Sequence, residues 1–350
     1  MPMCRALVVN GERVTPENLA AWRSWRRGIE SDLADFLAEW WSPGETVRLH
    51  SSGSTGKPKE FAGRKEYMRA SAVATLRAFG LWPCSADADF LLCLPLRYIA
   101  GKMMVVRALE VGCRLRVVEP SSAPIPPGES FDFAAMVPMQ AVVTLSREGG
   151  AAALSAVRTL LLGGGFVDVE TEAALQGVDS AVYVSYGMTE TYSHIALRRL
   201  NGPQAQGAYH PLPGVSLALS PEGTLVINAP HIGVQGMETN DVAELLPDSS
   251  FRILGRRDAV INSGGIKIQA EQVEAELRRL TGLTVLALPH PHPVLGQCIE
   301  LLWEGPAESA DKLSEAMEQL PKYQRPAVVR RVEALPRTAT GKLCRVPGAR

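Results

Sequence analysis

The chain has 350 residues, and its 36 basic and 37 acidic residues nearly cancel to a net charge of −1. This length allows two or more compact units with a substantial core. No run of like charge appears, which excludes an obvious nucleic-acid track or a site for an anionic membrane surface, so we expect a small-molecule partner.

The cysteines and the apolar segments indicate the compartment. Six cysteines are scattered without a C-x-x-C pair, which favours reduced thiols over a disulfide framework or a zinc site. The N-terminal residues lack an unbroken apolar stretch, and the most apolar segment, residues 90–106, is interrupted by Arg97 and Lys102. We therefore predict a cytoplasmic protein with no secretion signal and no membrane span.

The predicted elements of the first part alternate between helices and short apolar runs. After a strand at "ALVV", Thr15 and Pro16 begin one helix that continues through residues 18–41, and a second helix covers 66–80. From residue 89 to residue 187, runs that are apolar on both faces alternate with helical patterns. This pattern predicts an α/β fold with a mainly parallel sheet.

The second part of the chain has a different pattern. Residues 214–230 place two apolar runs around Pro-Glu-Gly, which predicts an antiparallel hairpin. Beyond residue 254 come helical patterns at 271–280 and 309–320, and strand patterns at 284–289, 297–304 and 327–335. We therefore predict two domains, a large one over 1–254 and a small α+β one over 255–350.

The stretch "SSGSTGKPKE", residues 51–60, is rich in small and hydroxyl-bearing residues. It is not a P-loop, because only two residues separate Gly53 from Gly56 and Pro58 follows Lys57. Its backbone N–H groups can still face an anion without side-chain obstruction. Taken alone, the stretch predicts either a phosphate-binding loop or a flexible surface turn.

Four further stretches follow that loop in order: "VSYGMTET" at 184–191, "TNDVAEL" at 239–245, "LGRRDAVINSGGIKIQAEQVE" at 254–274 and "LPRTATGK" at 335–342. Together the five resemble the signature of the adenylate-forming superfamily, which includes acyl- and aryl-CoA ligases. The resemblance implies a large N-terminal adenylation lobe, here with a shortened N-terminus, and a small mobile C-terminal lid domain.

Within that superfamily the chain is most similar to the o-succinylbenzoate–CoA ligases of menaquinone biosynthesis. The similarity rests on the short N-terminal lobe, on "LPLRYIAGKMMVVRAL" at 94–109 and on "YGMTETYSHIALR" at 186–198. It implies an enzyme that joins a carboxylic acid to ATP, forming an acyl-AMP and pyrophosphate, and then transfers the acyl group to coenzyme A. Mg²⁺ is the implied metal, and a homodimer could cover surface left by the short lobe. The alternatives are another aryl- or acyl-CoA ligase, or an adenylating module that loads a carrier protein.

The resemblance also implies which residues bind the nucleotide. A phosphate loop would cradle the β- and γ-phosphates with the following residues: Ser51, Ser52, Gly53, Ser54, Thr55, Gly56, Lys57 and Lys59. Adenine would lie between two segments. The aromatic ring of Tyr186 would stack on one face of the base, within the segment Ser185, Tyr186 and Gly187, and the backbone of Gly163, Gly164 and Gly165 would approach the other face closely.

The remaining nucleotide and catalytic roles fall on single residues. Thr189 would contact the α-phosphate, and Glu190 would hold Mg²⁺. Asp241 would accept hydrogen bonds from the ribose hydroxyls, with Arg256 assisting at the ribose or the phosphates. Lys342 would bridge the incoming carboxylate and the α-phosphate, stabilising the developing charge. These residues also have simpler structural interpretations. The Thr-Glu pair could cap a helix, and Lys342 could be a solvated lysine near the C-terminus.

Conformational change and acid binding involve further positions. Asp258 matches the hinge between the lobes, and rotation there would bring Gly264 and Gly265 to the approach path of the coenzyme A thiol. Tyr98 stands where many relatives carry an aromatic–His pair, so no histidine gate is expected. We assign Tyr98 to the acid side.

Because o-succinylbenzoate keeps one carboxylate as a spectator, that group needs a polar partner in an apolar pocket. Lys102 and His194 are the candidates. Each also has a plainer reading, since Lys102 could extend from a helix to solvent and His194 could be an ordinary satisfied polar residue.

Overall fold

The computed structural model describes residues 5–50, 60–83, 87–165, 167–337, 343 and 345. The backbone divides into two compact units, one formed by Met1–Ser216 with Asn228–Gln235 and one formed by Leu217–Ile227 with Gly236–Arg350. The predicted domain boundary at residue 254 stays a prediction. No helix among these described residues is long and apolar enough to cross a membrane.

The first unit alternates strands and helices along the chain. Its strands are β1 Leu7–Val9, β2 Glu12–Val14, β3 Thr46–His50, β4 Glu60–Arg64, β5 Asp89–Leu92, β6 Arg114–Val117, β7 Phe131–Met136, β8 Val157–Leu162, β9 Ala181–Met188, β10 Ser193–Arg199 and β11 His210–Pro211. Its helices are α1 Leu19–Arg23, α2 Gly28–Trp41, α3 Lys65–Ala78, α4 Ile99–Val111, α5 Pro138–Leu145, α6 Gly150–Ser155 and α7 Val169–Ala174.

Within the described residues, nine of these strands form one sheet in the order β11-β10-β9-β8-β7-β5-β6-β1-β2. Six strands run parallel to one another, namely β9, β8, β7, β5, β6 and β1, whereas β2 at one edge and β10 and β11 at the other pair antiparallel. The predicted α/β fold with a mainly parallel sheet is confirmed. Ligands of such sheets bind beyond the carboxyl ends of the strands, where β8 and β9 end at Leu162 and Met188.

The prediction of one continuous helix over residues 18–41 is wrong. The chain forms α1 and α2 with a break at residues 24–27, because Gly28 adopts a left-handed φ of +56°. The Glu119 carboxylate lies against Gly28, where it accepts a hydrogen bond from the backbone N–H of Ile29 at 2.9 Å and leaves no room for a Cβ. A contact 90 residues away along the chain therefore decides where the helix begins.

The second unit contains two sheets and two described helices. The elements that lie wholly or mainly in it are β12 Ser216–Leu219, β13 Thr224–Ala229, β14 Val234–Leu245, β15 Phe251–Arg256, β16 Val260–Ser263, β17 Ile266–Gln269, α8 Ala270–Thr281, β18 Thr284–His292, β19 Gly296–Glu304, α9 Ala310–Gln319 and β20 Val328–Arg331.

Strands β12 to β15 pair in chain order, and β12 and β13 are joined by a short turn, as the predicted hairpin requires. Strands β17, β16, β19 and β18 form the other sheet, with β20 parallel to β19. Helices α8 and α9 contribute Val273, Leu277 and Leu313 to the core of this sheet. The small α+β domain that the pattern predicted is present here.

Candidate active site

Two predicted parts of the site lie outside the described residues, namely the phosphate loop at 51–59 and Lys342. The described strands on either side of the loop, β3 and β4, pair antiparallel with His50 opposite Glu60. The roles of its residues and of Lys342 stay predictions.

The predicted adenine segments lie side by side at the carboxyl ends of β8 and β9. Strand β8 pairs with β9 in parallel, with Leu162 opposite Val184, so residues 163–165 follow the end of β8 at the edge of the sheet where residues 185–187 continue β9, paired there with β10. The Ser185 hydroxyl donates to the Leu162 carbonyl at 3.1 Å. A Cβ at Gly163 would lie 2.8 Å from that hydroxyl, and Gly164 has a φ of +73°. A side chain at Gly163 would therefore displace the Ser185 hydroxyl, and the left-handed φ of Gly164 favours glycine there.

Tyr186 and Gly187 continue β9 beyond that edge. The Tyr186 ring is half-buried, with its centroid 5.9 Å from the Tyr209 ring. A Cβ at Gly187 would come within 2.1 Å of the Ser193 carbonyl oxygen, so the antiparallel return of β10 tolerates no side chain there. The predicted stacking of adenine on Tyr186 stays a prediction.

Residues 189–191 form a tight turn between β9 and β10. The Thr191 hydroxyl organises it by accepting from the Met188 N–H at 3.0 Å and donating to the Ser193 carbonyl at 2.7 Å. Thr189 is buried, whereas Glu190 is exposed. The exposed carboxylate suits Mg²⁺, which is held in nucleotide sites by one or two carboxylates, by phosphates and by water. No cluster of three or more ligand-type side chains occurs in the described part of the chain, so the phosphates would have to supply other ligands.

The backbone after this turn is strained. Tyr192 and Ser193 have φ values of +54° and +120°, which non-glycine residues rarely adopt. Two hydroxyls stabilise the strained pair, because Ser71 donates to the Tyr192 carbonyl at 3.1 Å and Thr191 donates to the Ser193 carbonyl. Such strain persists only where the surroundings impose it, and it is concentrated at functional sites.

Arg107, which sequence reasoning missed, lies next to this strained segment. It is 1% exposed in the middle of α4, and its Nη2 donates to the Ser193 hydroxyl at 3.0 Å. The guanidinium carbon lies 5.9 Å from the centre of the Phe133 ring. Its Nε has no hydrogen-bond partner among the described residues, and burial lowers the pKa of the guanidinium to about 9. The sequence signal was a basic residue inside the apolar run "MMVVRAL" at residues 103–109.

His194 lies in the same cluster and is 4% exposed. Its Nε2 lies 3.1 Å from the Thr75 hydroxyl, and its Nδ1 lies 3.3 Å from the Ser193 hydroxyl. Burial, reinforced by the nearby positive charge of Arg107, lowers the pKa of this imidazole well below its usual value. The ring is therefore neutral at physiological pH.

Lys102 is not part of this cluster. Its ammonium donates to the backbone carbonyl of Arg48 and lies 5.6 Å from the centre of the Phe36 ring. It precedes Arg107 by five residues on α4, which places the two on different faces of the helix. Burial lowers the pKa of Lys102. Tyr98 stands at the N-terminal cap of α4, under the guanidinium of Arg97 at 4.7 Å.

The second unit contains the predicted ribose and hinge residues. Asp241 on β14 lies opposite Arg256 on β15, and Arg256 Nη1 is 3.5 Å from Asp241 Oδ1. Arg256 also binds both carboxylate oxygens of Asp258, which lowers the pKa of that carboxyl. The structure thus brings these three predicted residues together.

Gly264 and Gly265 form the two-residue turn between β16 and β17. Their φ values of +59° and +85° are those of a tight hairpin turn with both central residues in the left-handed region. The Gly264 N–H donates to the Leu295 carbonyl at 2.9 Å. Their predicted position beside the thiol path stays a prediction.

Comparisons with known proteins agree with this arrangement. The model of the AMP-binding enzyme family matches residues 10–232. A 2-succinylbenzoate–CoA ligase of Enterococcus faecalis is 26% identical over 341 residues, covering 85% of this chain and 67% of the relative. The chain thus spans about two thirds of the length of that curated relative.

Solved structures show the same fold. An acyl-CoA synthetase (AMP-forming)/AMP-acid ligase II-like protein from Dyadobacter fermentans is 33% identical with a TM-score of 0.64, covering 93% of this chain and 95% of that one. The o-succinylbenzoate CoA synthetase (MenE) of Bacillus subtilis, solved with the acyl-adenylate intermediate OSB-AMP, is 22% identical with a TM-score of 0.70. That alignment covers 85% of this chain and 67% of the Bacillus protein.

Proposed function

Because this chain belongs to the AMP-binding enzyme family, we propose that it is an AMP-forming acid–CoA ligase whose acid is o-succinylbenzoate. In the first step the succinyl carboxylate attacks the α-phosphorus of ATP, forming an acyl-AMP and releasing pyrophosphate. In the second step the thiol of coenzyme A attacks the acyl carbon, forming the thioester and releasing AMP. The predicted pathway is menaquinone biosynthesis.

The observation that carries the choice of acid is the buried, unpaired guanidinium of Arg107. No carboxylate of the described residues pairs with it, and its one described hydrogen bond goes to the neutral hydroxyl of Ser193. A buried charge without a counter-ion costs several kcal/mol. A bound substrate carboxylate would remove that cost, and a guanidinium can hold a carboxylate through two hydrogen bonds.

Ser193 provides the direction from which the acid would approach. It is only half-buried, whereas Arg107 and His194 are buried, so it marks the accessible end of the cluster. It also follows the turn that carries Thr189 and Glu190, the residues assigned to the α-phosphate and to Mg²⁺. An acid bound there would have one carboxylate near Arg107 and its other end directed toward the nucleotide. A diacid fits this arrangement better than a fatty acid.

The nucleotide would be held by the residues described above. Tyr186 and the glycines at 163–165 would enclose adenine, and Asp241 would bind the ribose hydroxyls. The chemistry that Mg²⁺ supplies when bound is neutralisation of the phosphate charge that opposes attack by a carboxylate. The half-exposed Tyr186 and the exposed Glu190 support these assignments.

The products separate this function from its alternatives. Incubation with ATP, coenzyme A and candidate acids, followed by mass spectrometry, is expected to give AMP and o-succinylbenzoyl-CoA. A thioester formed only from other acids would identify another CoA ligase. An acyl-adenylate without thioester would identify a module that loads a carrier protein.

An arginine variant tests the carboxylate site. We expect Arg107→Met to raise the KM for o-succinylbenzoate at least tenfold, while activity on the methyl ester of the ring carboxylate is kept, since a lost charge-assisted hydrogen bond costs about 1.5–3 kcal/mol. Replacing an unpaired buried charge by an apolar side chain of similar length is not expected to lower stability. Arg158→Met, which removes a guanidinium whose side chain is 72% exposed, is the matched control. Equal losses on both acids would exclude this role for Arg107.

A further inference from the structure

A chain of hydrogen bonds links three elements of the first unit around His194. It runs from Thr75 on α3 through the imidazole of His194 and the hydroxyl of Ser193 on β10 to Arg107 on α4. The heavy-atom distances are 3.1 Å from Thr75 Oγ1 to His194 Nε2, 3.3 Å from His194 Nδ1 to Ser193 Oγ, and 3.0 Å from Ser193 Oγ to Arg107 Nη2. Both nitrogens of the imidazole are therefore engaged.

The protons in this chain can be assigned one by one. The Thr75 hydroxyl has a single proton, and it is donated to the Ser71 carbonyl at 3.0 Å within α3. Thr75 Oγ1 can then only accept from His194, so the imidazole proton lies on Nε2. Thr75 is fully buried, so water does not compete for this bond.

The directions of the remaining hydrogen bonds, between His194, Ser193 and Arg107, follow from the chemistry of arginine. A guanidinium only donates, so Arg107 Nη2 uses a lone pair of the Ser193 hydroxyl. The proton of that hydroxyl is then available for the bare Nδ1 of His194. The direction of every bond is thereby set, from Arg107 through Ser193 to His194 Nδ1, and from His194 Nε2 through Thr75 to Ser71.

The backbone supports the same arrangement. Ser71 and Thr75 are one helical turn apart on α3, and they hold the Tyr192 carbonyl and the His194 ring respectively. Ser193 lies between Tyr192 and His194 in the sequence and has a left-handed φ of +120°. Helix α3 therefore holds both sides of the strained residue whose hydroxyl meets Arg107.

We propose that His194 is a positioning residue, which as the neutral Nε2–H tautomer accepts the Ser193 O–H on Nδ1, keeps a lone pair of that hydroxyl directed at Arg107 and so orients the guanidinium for a carboxylate of the acid substrate. The part of this inference that concerns the substrate carboxylate rests on the proposed function. The assignment of the His194 tautomer does not depend on it. It differs from the prediction that His194 pairs with the carboxylate directly. A neutral imidazole does not provide a positive charge for the carboxylate. It orients the neighbouring Ser193 hydroxyl by accepting its proton in a hydrogen bond.

The tautomer is tested by nitrogen NMR of protein labelled with ¹⁵N-histidine. The His194 signals are identified by their loss in His194→Gln. The expected spectrum shows a proton coupled to Nε2 and none on Nδ1, unchanged from pH 6 to pH 8. A proton on Nδ1, or on both nitrogens, would overturn the proposal whatever the activity of the enzyme.

Two substitutions separate the two ring contacts in kinetics. In His194→Asn the side-chain oxygen can take the place of Nδ1 and still accept from Ser193, whereas in His194→Gln the longer amide reaches toward Thr75 in the place of Nε2. We expect His194→Gln to raise the KM for o-succinylbenzoate about tenfold with little change in kcat, and His194→Asn to stay within about threefold of wild type. Neither variant should change the KM for the ring methyl ester.

The outcomes distinguish this proposal from the proposed function. Equal effects of the two variants, or equal effects on diacid and ester, would show that His194 only supports packing and would overturn the positioning role. A wild-type enzyme that uses diacid and ester equally well would refute the carboxylate site itself, and the positioning role with it. The nitrogen spectrum would still decide the tautomer in that case.

Discussion

Arg256 and Asp258 form a two-point ion pair, in which Arg256 Nε lies 2.8 Å from Asp258 Oδ1 and Arg256 Nη2 lies 2.7 Å from Asp258 Oδ2. The pair closes a short turn at residues 257–259 between β15 and β16. Asp258 is the proposed hinge. A rotation of the backbone at this residue would therefore either break the ion pair or move Arg256 together with Asp258.

The first prediction concerns this hinge. Proline restricts φ to about −65°, which the 3₁₀ turn at residues 257–259 accommodates, so Asp258→Pro should fold but resist rotation. We expect adenylation to survive better than thioester formation. Pyrophosphate release and thioester formation from supplied acyl-AMP measure the two half-reactions separately. Asp258→Ala removes the same ion pair without restricting φ and is the matched control; if it behaves like the proline variant, the hinge assignment fails.

The second prediction concerns the ribose. Asp241→Asn keeps the shape of the side chain and removes its charge, which weakens hydrogen bonds from the ribose hydroxyls. We expect the KM for ATP to rise about tenfold, while the KM for the acid changes less than about twofold. Glu244→Gln, on the same strand but paired with Arg252 at the surface, serves as the control. An unchanged KM for ATP would remove Asp241 from the nucleotide site.

The third prediction concerns Lys342, which we assign to the first step alone. Lys342→Ala is expected to abolish formation of the acyl-adenylate and to largely spare conversion of supplied acyl-AMP into thioester, because only the first step develops charge on the α-phosphate. Single-turnover assays of each half-reaction make the comparison. Equal loss in both would contradict the assignment.

The fourth prediction concerns stability against pH. The lowered pKa of His194 means that the folded state keeps the ring neutral while the unfolded chain takes up a proton near its usual pKa of about 6.5. The ring's contribution to stability is therefore complete above about pH 6.5 and declines as the pH falls below it.

His194→Gln removes that dependence. Between pH 7.5 and pH 5.5, wild type should lose about 1 kcal/mol more of its free energy of unfolding than the variant does. Chemical denaturation of both proteins at the two pH values measures the difference. Parallel loss in wild type and variant would mean that the folded state protonates His194 readily.

The order of the elements and the nucleotide motifs were predictable from local pattern. Runs such as "DFLLCLPL" and "AVYVSYG", apolar on both faces and separated by helices, predicted the parallel strands that the structure has at 89–92 and 181–188. Gly163 and Gly187 stand where a Cβ would collide with a neighbouring strand or side chain. These two positions were predicted from the motifs that contain them, and the structure adds the neighbouring atoms that a side chain would meet.

The break before α2 was not predictable in this way. Residues 18–41 have a helical pattern throughout, and nothing in the pattern requires Gly28 to leave it. The carboxylate of Glu119, 91 positions later in the sequence, occupies the space beside that glycine and accepts the Ile29 N–H. Helical propensity is a local quantity, and a tertiary contact overrides it.

The sequence by itself determined the α/β class, the small second unit and the family to which the chain belongs, since these depend on periodicity and on motifs that are local in sequence. It also led to the prediction of Lys102 and His194 as candidate partners of the spectator carboxylate. Only the tertiary structure showed that burial lowers the pKa of His194, that Lys102 lies on another face of α4 and that Arg107 is buried without a carboxylate partner among the described residues. Burial and hydrogen-bond direction are set when α3, α4 and β10 pack together, and no single segment contains that information.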